Sequence, residues 1–148
     1  MEHETSTTMA LSSDTYFAPP DRSDMFELKN VIDLIESSPN VKAMMDAMPF
    51  VVLLLNSNRQ IVAANQKVFT LLGVDSDDAL GKRPGELIGC VHAQEGPNGC
   101  GTSIYCKVCG AVNAILDSMY AVERQTEECR ITLQNGGALD WEETTSPL

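Results

Sequence analysis

The apolar residues of this chain change period several times, and the order of the changes restricts the fold more than any single motif. Leu28, Val31, Ile32 and Ile35 recur at helical spacing, and Val41, Met44, Met45 and Met48 repeat it. Phe50 to Asn56 is then a short run rich in Val and Leu, followed by the polar pair Ser57-Asn58 and a partner segment from Arg59 to Ala64. That pattern predicts a hairpin. Helical spacing returns with Val68, Phe69, Leu71 and Leu72, and again from Cys106 to Met119. From Glu123 the sequence alternates. Cys129, Ile131 and Leu133 point one way, and Leu139 and Trp141 continue the pattern beyond the turn Asn135-Gly136-Gly137. The predicted order is helix, helix, strand, strand, helices, loop, helix, strand, strand, which is an α+β chain.

Stop and start signals agree with that order. Asp24 and Glu27 have capping-box spacing at the head of the first helix. Ser38-Pro39 ends that helix and opens the next. Asn65 is read as a helix cap and Gly73 as its stop. Asp75 to Leu80 forms another helical turn before Gly81. Residues 82–105 hold seven glycines and prolines and no clear period, so they form a long loop with one turn of helix at Pro84 to Ile88. The methionines at helical spacing read as packing residues.

The 148 residues suit one domain, and a hydrophobic content of 43% supports a packed core. Residues 1–22 are the exception: rich in Ser, Thr, Asp and Pro without apolar period, they read as a disordered tail. Residues 23–38 follow as an N-terminal helix and 39–148 as the folded domain. A net charge of −11 disfavours nucleic-acid backbones and anionic lipid. The longest apolar run, Phe50 to Leu55, is far short of the ~20 residues that span a bilayer, and the N-terminus lacks the charged and apolar regions of a secretory signal. The expected compartment is the cytoplasm. There thiols stay reduced, and clustered cysteines serve metal or redox chemistry more often than they serve as staples.

The five cysteines fall as Cys90-x-His92, Cys100, Cys106-x2-Cys109 and Cys129. Two thiolates two residues apart can grip one ion, and Gly110 lets backbone amides turn toward the sulfurs. Four thiolates suit tetrahedral zinc or an iron–sulfur cluster. Cys90, Cys100, Cys106 and Cys109 are the simplest ligand set, with Cys129 or His92 able to replace one. Cys106 and Cys109 are expected in the first turn of a helix, where unpaired amides favour thiolate. Three other readings stay open. The pair could form a reversible disulfide without metal, the site could be a structural zinc that stabilises a protein-interaction domain, or the cysteines could simply pack, since free cysteine behaves as a small hydrophobe. Gly110 stands where a c-type haem site needs histidine. No phosphate-binding loop, paired-histidine motif or Gly-x-Ser-x-Gly elbow is present, so no enzyme is expected.

The order of elements resembles a PAS domain, and so do local residues. "LLLNSNRQIVAANQKVFTLLGVDSDDALGK", Leu53 to Lys82, is similar to the first half of that family, with Asn65, Leu72-Gly73 and Gly81-Lys82 the most family-like positions. The resemblance covers roughly residues 41–145. It implies an antiparallel sheet flanked by short helices. It also implies a sensory role toward an effector such as a histidine kinase or regulator, and the apolar stripe of the N-terminal helix suits a homodimer through that helix. A PAS sheet normally has five strands, so either the chain is a fragment of a longer protein or its final strand is absent. The cysteine-rich second half is similar to PAS domains of bacterial signalling proteins, which implies sensing of redox state, oxygen or metal.

Overall fold

Backbone contacts in the computed structural model, which describes residues 14–147, divide the chain into two units: residues 21–88, and residues 89–148 together with the segment ending at Pro20.

The unit of residues 21–88 is built on a short hairpin. Strands β1 (Leu53–Leu55) and β2 (Ile61–Ala64) run antiparallel, with Leu53 opposite Ala64 and Leu55 opposite Ile61. Both strands are shorter than the apolar pattern suggested. Arg59 takes a left-handed backbone, and the Asn56 side chain accepts the amides of Asn58 and Gln60, each at 2.9 Å. The turn therefore consumes residues 56–60, and the register slips between Leu54 and Leu55. Ile61, Ala64 and Val68 form the core, with Leu53, Leu55, Phe69, Leu72, Leu80 and Leu87 packed around them.

Helix α1 (Met25–Glu36) starts as its cap predicts, Asp24 Oδ1 accepting the Glu27 amide at 2.8 Å. Its apolar stripe is only partly used. Leu28 is buried, whereas Val31 is 40% exposed and Phe26 and Leu34 protrude further. Helix α2 (Pro39–Ala47) likewise buries Met45 and leaves Met44 exposed, so the methionine stripe is not all packing. Helix α3 (Gln66–Leu72) ends at Gly73, whose φ of 66° is the left-handed conformation that favours glycine. Two short helices follow, α4 (Ser76–Ala79) and α5 (Pro84–Ile88).

Asn65 is not the side-chain cap that its position suggested. It is fully buried, and its amide ties three backbone groups together. Oδ1 accepts from Val52 N–H at 3.1 Å, while Nδ2 donates to Met45 C=O at 3.0 Å and to Phe50 C=O at 2.8 Å. Asp46 instead accepts the Gln66 amide at 2.7 Å. A buried amide with these bonds made fixes where the chain from α2 enters β1.

The other unit is built on a longer hairpin. Strands β3 (Gln125–Thr132) and β4 (Ala138–Thr145) pair antiparallel through eight rungs, with Cys129 opposite Trp141 and Glu127 opposite Glu143. The turn at Asn135–Gly137 is the expected one, with Asn135 Oδ1 accepting the Gly137 amide at 2.8 Å. Residues 89–91 lie along the end of β3: Cys90 bridges Leu133, and Val91 N–H donates to Thr132 C=O at 2.9 Å. Of the segment read as a disordered tail, residues 14–20 are described and packed. Tyr16 and Ala18 amides donate to the carbonyls of Thr102 and Gly101, and Ala18 is buried with Val112 and Leu116. Residues 1–13 of that expected tail lie outside the described residues. The expected loop 82–105 is also more ordered than its composition suggested. Besides α5 it contains α6 (His92–Glu95) and the start of a 3-10 helix, Ile104–Val108.

Helix α7 (Gly110–Ala121) packs on the β3–β4 hairpin, and its Ala111, Ala114, Ile115 and Ser118 are buried. It starts four residues later than the apolar spacing suggested. Cys109 has an extended backbone, ψ 118°, so it closes the 3-10 helix and caps α7. Cys106 therefore belongs to the 3-10 helix and not to the first turn of α7.

Candidate functional site

The cysteines gather around the N-terminus of α7. Cys90 comes from the segment beside β3, Cys100 from the loop before Gly101, Cys106 from the 3-10 helix, Cys109 from the helix cap and Cys129 from the middle of β3. Cys90, Cys106 and Cys129 are buried, Cys100 and Cys109 half-buried, and none of the five is in a disulfide. Cys100 and Cys109 pack against the same small core of Ala18, Val112 and Leu116.

Two of the sulfurs are met by backbone amides. Those of Ser103 and Gly101 are directed at Cys106, and those of Val112 and Ala111 at Cys109. Burial nevertheless pushes both thiols above their ordinary range, and the charges of neighbouring groups add to this. Cys106 feels Cys109 and Cys90, and Cys109 feels Cys90 and Glu143. Cys129 is pushed furthest, to about 12, by burial and then by Glu143, Cys109 and Glu127. These mutual influences tie Cys90, Cys106, Cys109 and Cys129 into one neighbourhood.

Gly110 brings the helix and the sheet together there. A β carbon on this residue would lie 2.3 Å from the Glu128 carbonyl oxygen and 3.2 Å from Cys129 Sγ. No larger residue fits without displacing backbone. The glycine thus serves a close approach between helix and sheet.

Glu143 is a member of this neighbourhood that sequence reasoning missed. It lies on the same side of β4 as Trp141, two rungs from the Cys129–Trp141 pair. Burial raises its carboxyl to about 7, against the opposing hydrogen bonds from Trp141 and Thr145. The signal was available, because Glu143 shares the parity of Leu139 and Trp141, but a glutamate in an acidic strand reads as solvent-facing.

His92 is otherwise engaged. Its Nδ1 lies 2.6 Å from Glu95 Oε2, and its ring stacks on Tyr105 with centroids 4.8 Å apart. Among the described residues, no three His, Cys, Asp or Glu side chains are arranged to hold a metal ion. The cysteines share a neighbourhood and amide donors suited to thiolate, but their sulfurs do not converge as a ligand set. No helix of the described residues is long and apolar enough to cross a membrane.

Comparison with known proteins bears on the first part of this architecture. Residues 40–103 match the family model described as PAS domain. The match takes in Cys90 and Cys100 and ends before Cys106. Among solved structures, the chain is similar to the PAS domain of an HTR-like protein from Haloarcula marismortui, at 18% identity and a TM-score of 0.43, covering 74% of this chain and 82% of that one. None of the curated proteins matches. Residues 40–103 of this α+β chain are thus the part that is similar to a PAS domain.

Proposed function

We propose that this chain is a sensory signalling module, not an enzyme, that reads redox state, oxygen or metal through an iron–sulfur cluster or zinc bound by its cysteines. The PAS match supports the sensory part. The observation that carries the rest is the pair of sulfurs three residues apart, Cys106 and Cys109, each met by two backbone amides. Such N–H···S contacts stabilise thiolate and tune a metal held by it. Cys90, Cys100, Cys106 and Cys109 would hold the group, with Cys129 within the same neighbourhood. Loading calls for rotation of cysteine side chains between staggered wells, because their sulfurs do not converge without it. When bound, the group would supply a reversible change of oxidation state or occupancy. The protein's part is to hold the thiolates, aim amides at them and keep water away.

Signal output is assigned to a partner or second copy, with a histidine kinase or regulator as the expected effector. The protruding Met25, Phe26 and Leu34 of α1 support a homodimer through that helix. A cytoplasmic location and no nucleic-acid partner fit the reduced thiols and the net charge of −11.

One observation favours a second reading, a metal-free switch between Cys106 and Cys109. The charge of Cys109 acts on Cys106, while among the described residues no three His, Cys, Asp or Glu side chains converge to hold a metal ion.

The test is anaerobic purification of the chain and of a Cys106→Ser/Cys109→Ser variant, with a visible spectrum and assays for iron, zinc and acid-labile sulfide. A coloured protein with iron and sulfide, lost in the variant, is the expected result. One zinc, redox-silent, whose removal unfolds the chain would make the site structural. Metal-free wild type, or metal unchanged in the variant, would overturn the metal reading.

A further inference from the structure

Residues 14–20 lie as a strap along the loop 98–102. The Tyr16 and Ala18 amides, two residues apart, donate to the carbonyls of Thr102 and Gly101, each at 2.9 Å. Asn98 Nδ2 donates to the Asp14 carbonyl at 2.7 Å. Thr15 ties the strap to itself: its Oγ1 accepts the Phe17 amide at 3.1 Å and donates to the Ala18 carbonyl. Ala18, 1% exposed, closes a small core with Val112 and Leu116. Phe17, Cys100 and Cys109 pack against that same core. The strap is thus part of the cover over the two cysteines that are only half-buried.

Strap and seat differ in how firmly they are held. In the seat, Thr102 is fully buried, and its Oγ1 donates to the Gly99 carbonyl at 2.7 Å and accepts the Asn98 amide at 3.0 Å. Gly96 is pressed against it, since a β carbon there would lie 2.4 Å from Thr102 Oγ1. In the strap, Ala18 is the one buried residue, and Tyr16 is exposed. A segment that buries so little apolar surface opens at a lower free energy than the unit it rests on.

We infer that residues 14–20 are a lid over Cys100 and Cys109, whose opening, separate from unfolding, lets a thiophilic metal ion or a thiol reagent reach those two sulfurs. The gating belongs to the chain itself. Its use in regulating a cysteine-bound group rests on the function proposed above. Closed, the strap holds Ala18 on Val112 and Leu116 and keeps that side of the cysteine cluster dry. Open, it exposes the half-buried pair while Cys129, in the middle of β3, stays buried.

The experiment uses the full chain, reduced and treated with a chelator. It is labelled with iodoacetamide under native conditions, then unfolded, labelled with heavy iodoacetamide and digested with trypsin. Cleavage after Lys107, Arg124 and Arg130 puts Cys109 on peptide 108–124 and Cys129 on peptide 125–130, and fragmentation of the peptide ending at Lys107 resolves Cys100 from Cys90 and Cys106. Two variants loosen the strap. Ala18→Arg puts a long charged side chain where only a methyl is buried, and Thr15→Ala removes bonds made within the strap. Because reaction follows the opened population, Cys100 and Cys109 should label about tenfold faster in Ala18→Arg and by a smaller factor in Thr15→Ala. Cys129 should be unchanged, and deuterium exchange at the Tyr16 and Ala18 amides should rise with the labelling. Faster exchange at those amides with Cys100 and Cys109 labelling unchanged would overturn the inference. So would an equal rise at Cys129 in Thr15→Ala, since the strap would then open only with its unit. Wild type also decides by itself: Cys100 and Cys109 labelled as fast as in the unfolded chain would mean that nothing covers them. The sample is metal-free by design, so failure here is separate from failure of the metal reading, which the metal assays decide.

Discussion

Gly110 and Glu128 stand so close that a β carbon on the first would lie 2.3 Å from the carbonyl oxygen of the second. The obstacle is backbone within a paired strand, which cannot swing aside as a side chain can. Gly110→Ala therefore has to lift α7 from β3 or break the pairing at Glu128. Overpacking of this kind costs about 1–3 kcal/mol. Alanine has a propensity advantage over glycine inside a helix of at most ~1 kcal/mol, and this does not offset the clash. The urea midpoint should fall with an unchanged slope, and the near-ultraviolet signal of Trp141 should change. An unaltered midpoint would mean that helix and sheet are not in contact at this residue.

Asn65 carries a different kind of constraint. Its side chain satisfies one amide and two carbonyls, and it is fully buried. Asn65→Leu keeps the volume and removes all three partners, which leaves buried polar groups unpaired at ~1–3 kcal/mol each where water cannot reach them. The expected loss is about 2–5 kcal/mol in thermal or urea unfolding. Asn65→Asp should not rescue it, because an ionised carboxylate has no proton to offer Met45 and Phe50. If Asn65→Ala proved neutral, the residue would be a surface cap after all.

The hairpin of β3 and β4 and the start of α1 were legible in the sequence because both are local. Alternation from Cys129 to Trp141 and the Asp24 cap each report on backbone within a few residues. What was misread depends on distant partners. Asn65 precedes a helix and looks like its cap, but its bonds reach back to residues 45, 50 and 52. The stripe on α1 has the right spacing, but spacing does not say what covers it, and Leu28 alone is buried there. Helical period ran through Cys106 without a break because a 3-10 turn and an α-turn place apolar residues at similar intervals. Only the extended backbone at Cys109 separates them. The cysteines were found from composition, whereas Glu143 became a candidate only when the register put it on the same face as Cys129, two rungs away.

Glu143 predicts an unusual pH dependence. Its carboxyl is raised from 4.5 to about 7 by burial, so between those values the folded state holds a proton that the unfolded state has released. Folding then binds protons, and stability falls as pH rises through this window. The contribution is fully present below about pH 4.5 and is lost once the folded carboxyl ionises above pH 7. Its size is at most ~3.5 kcal/mol, from ~1.4 kcal/mol for each pH unit between the two values, and less to the extent that solvent reaches the half-buried carboxyl. Glu143→Gln removes the titration and keeps an oxygen that Trp141 and Thr145 can reach. Wild type should lose stability between pH 5 and 8 in urea titrations, with the variant nearly flat over that range and more stable than wild type at pH 8. Parallel curves for the two proteins would mean that Glu143 is ionised and solvated throughout, and would remove it from the cysteine neighbourhood.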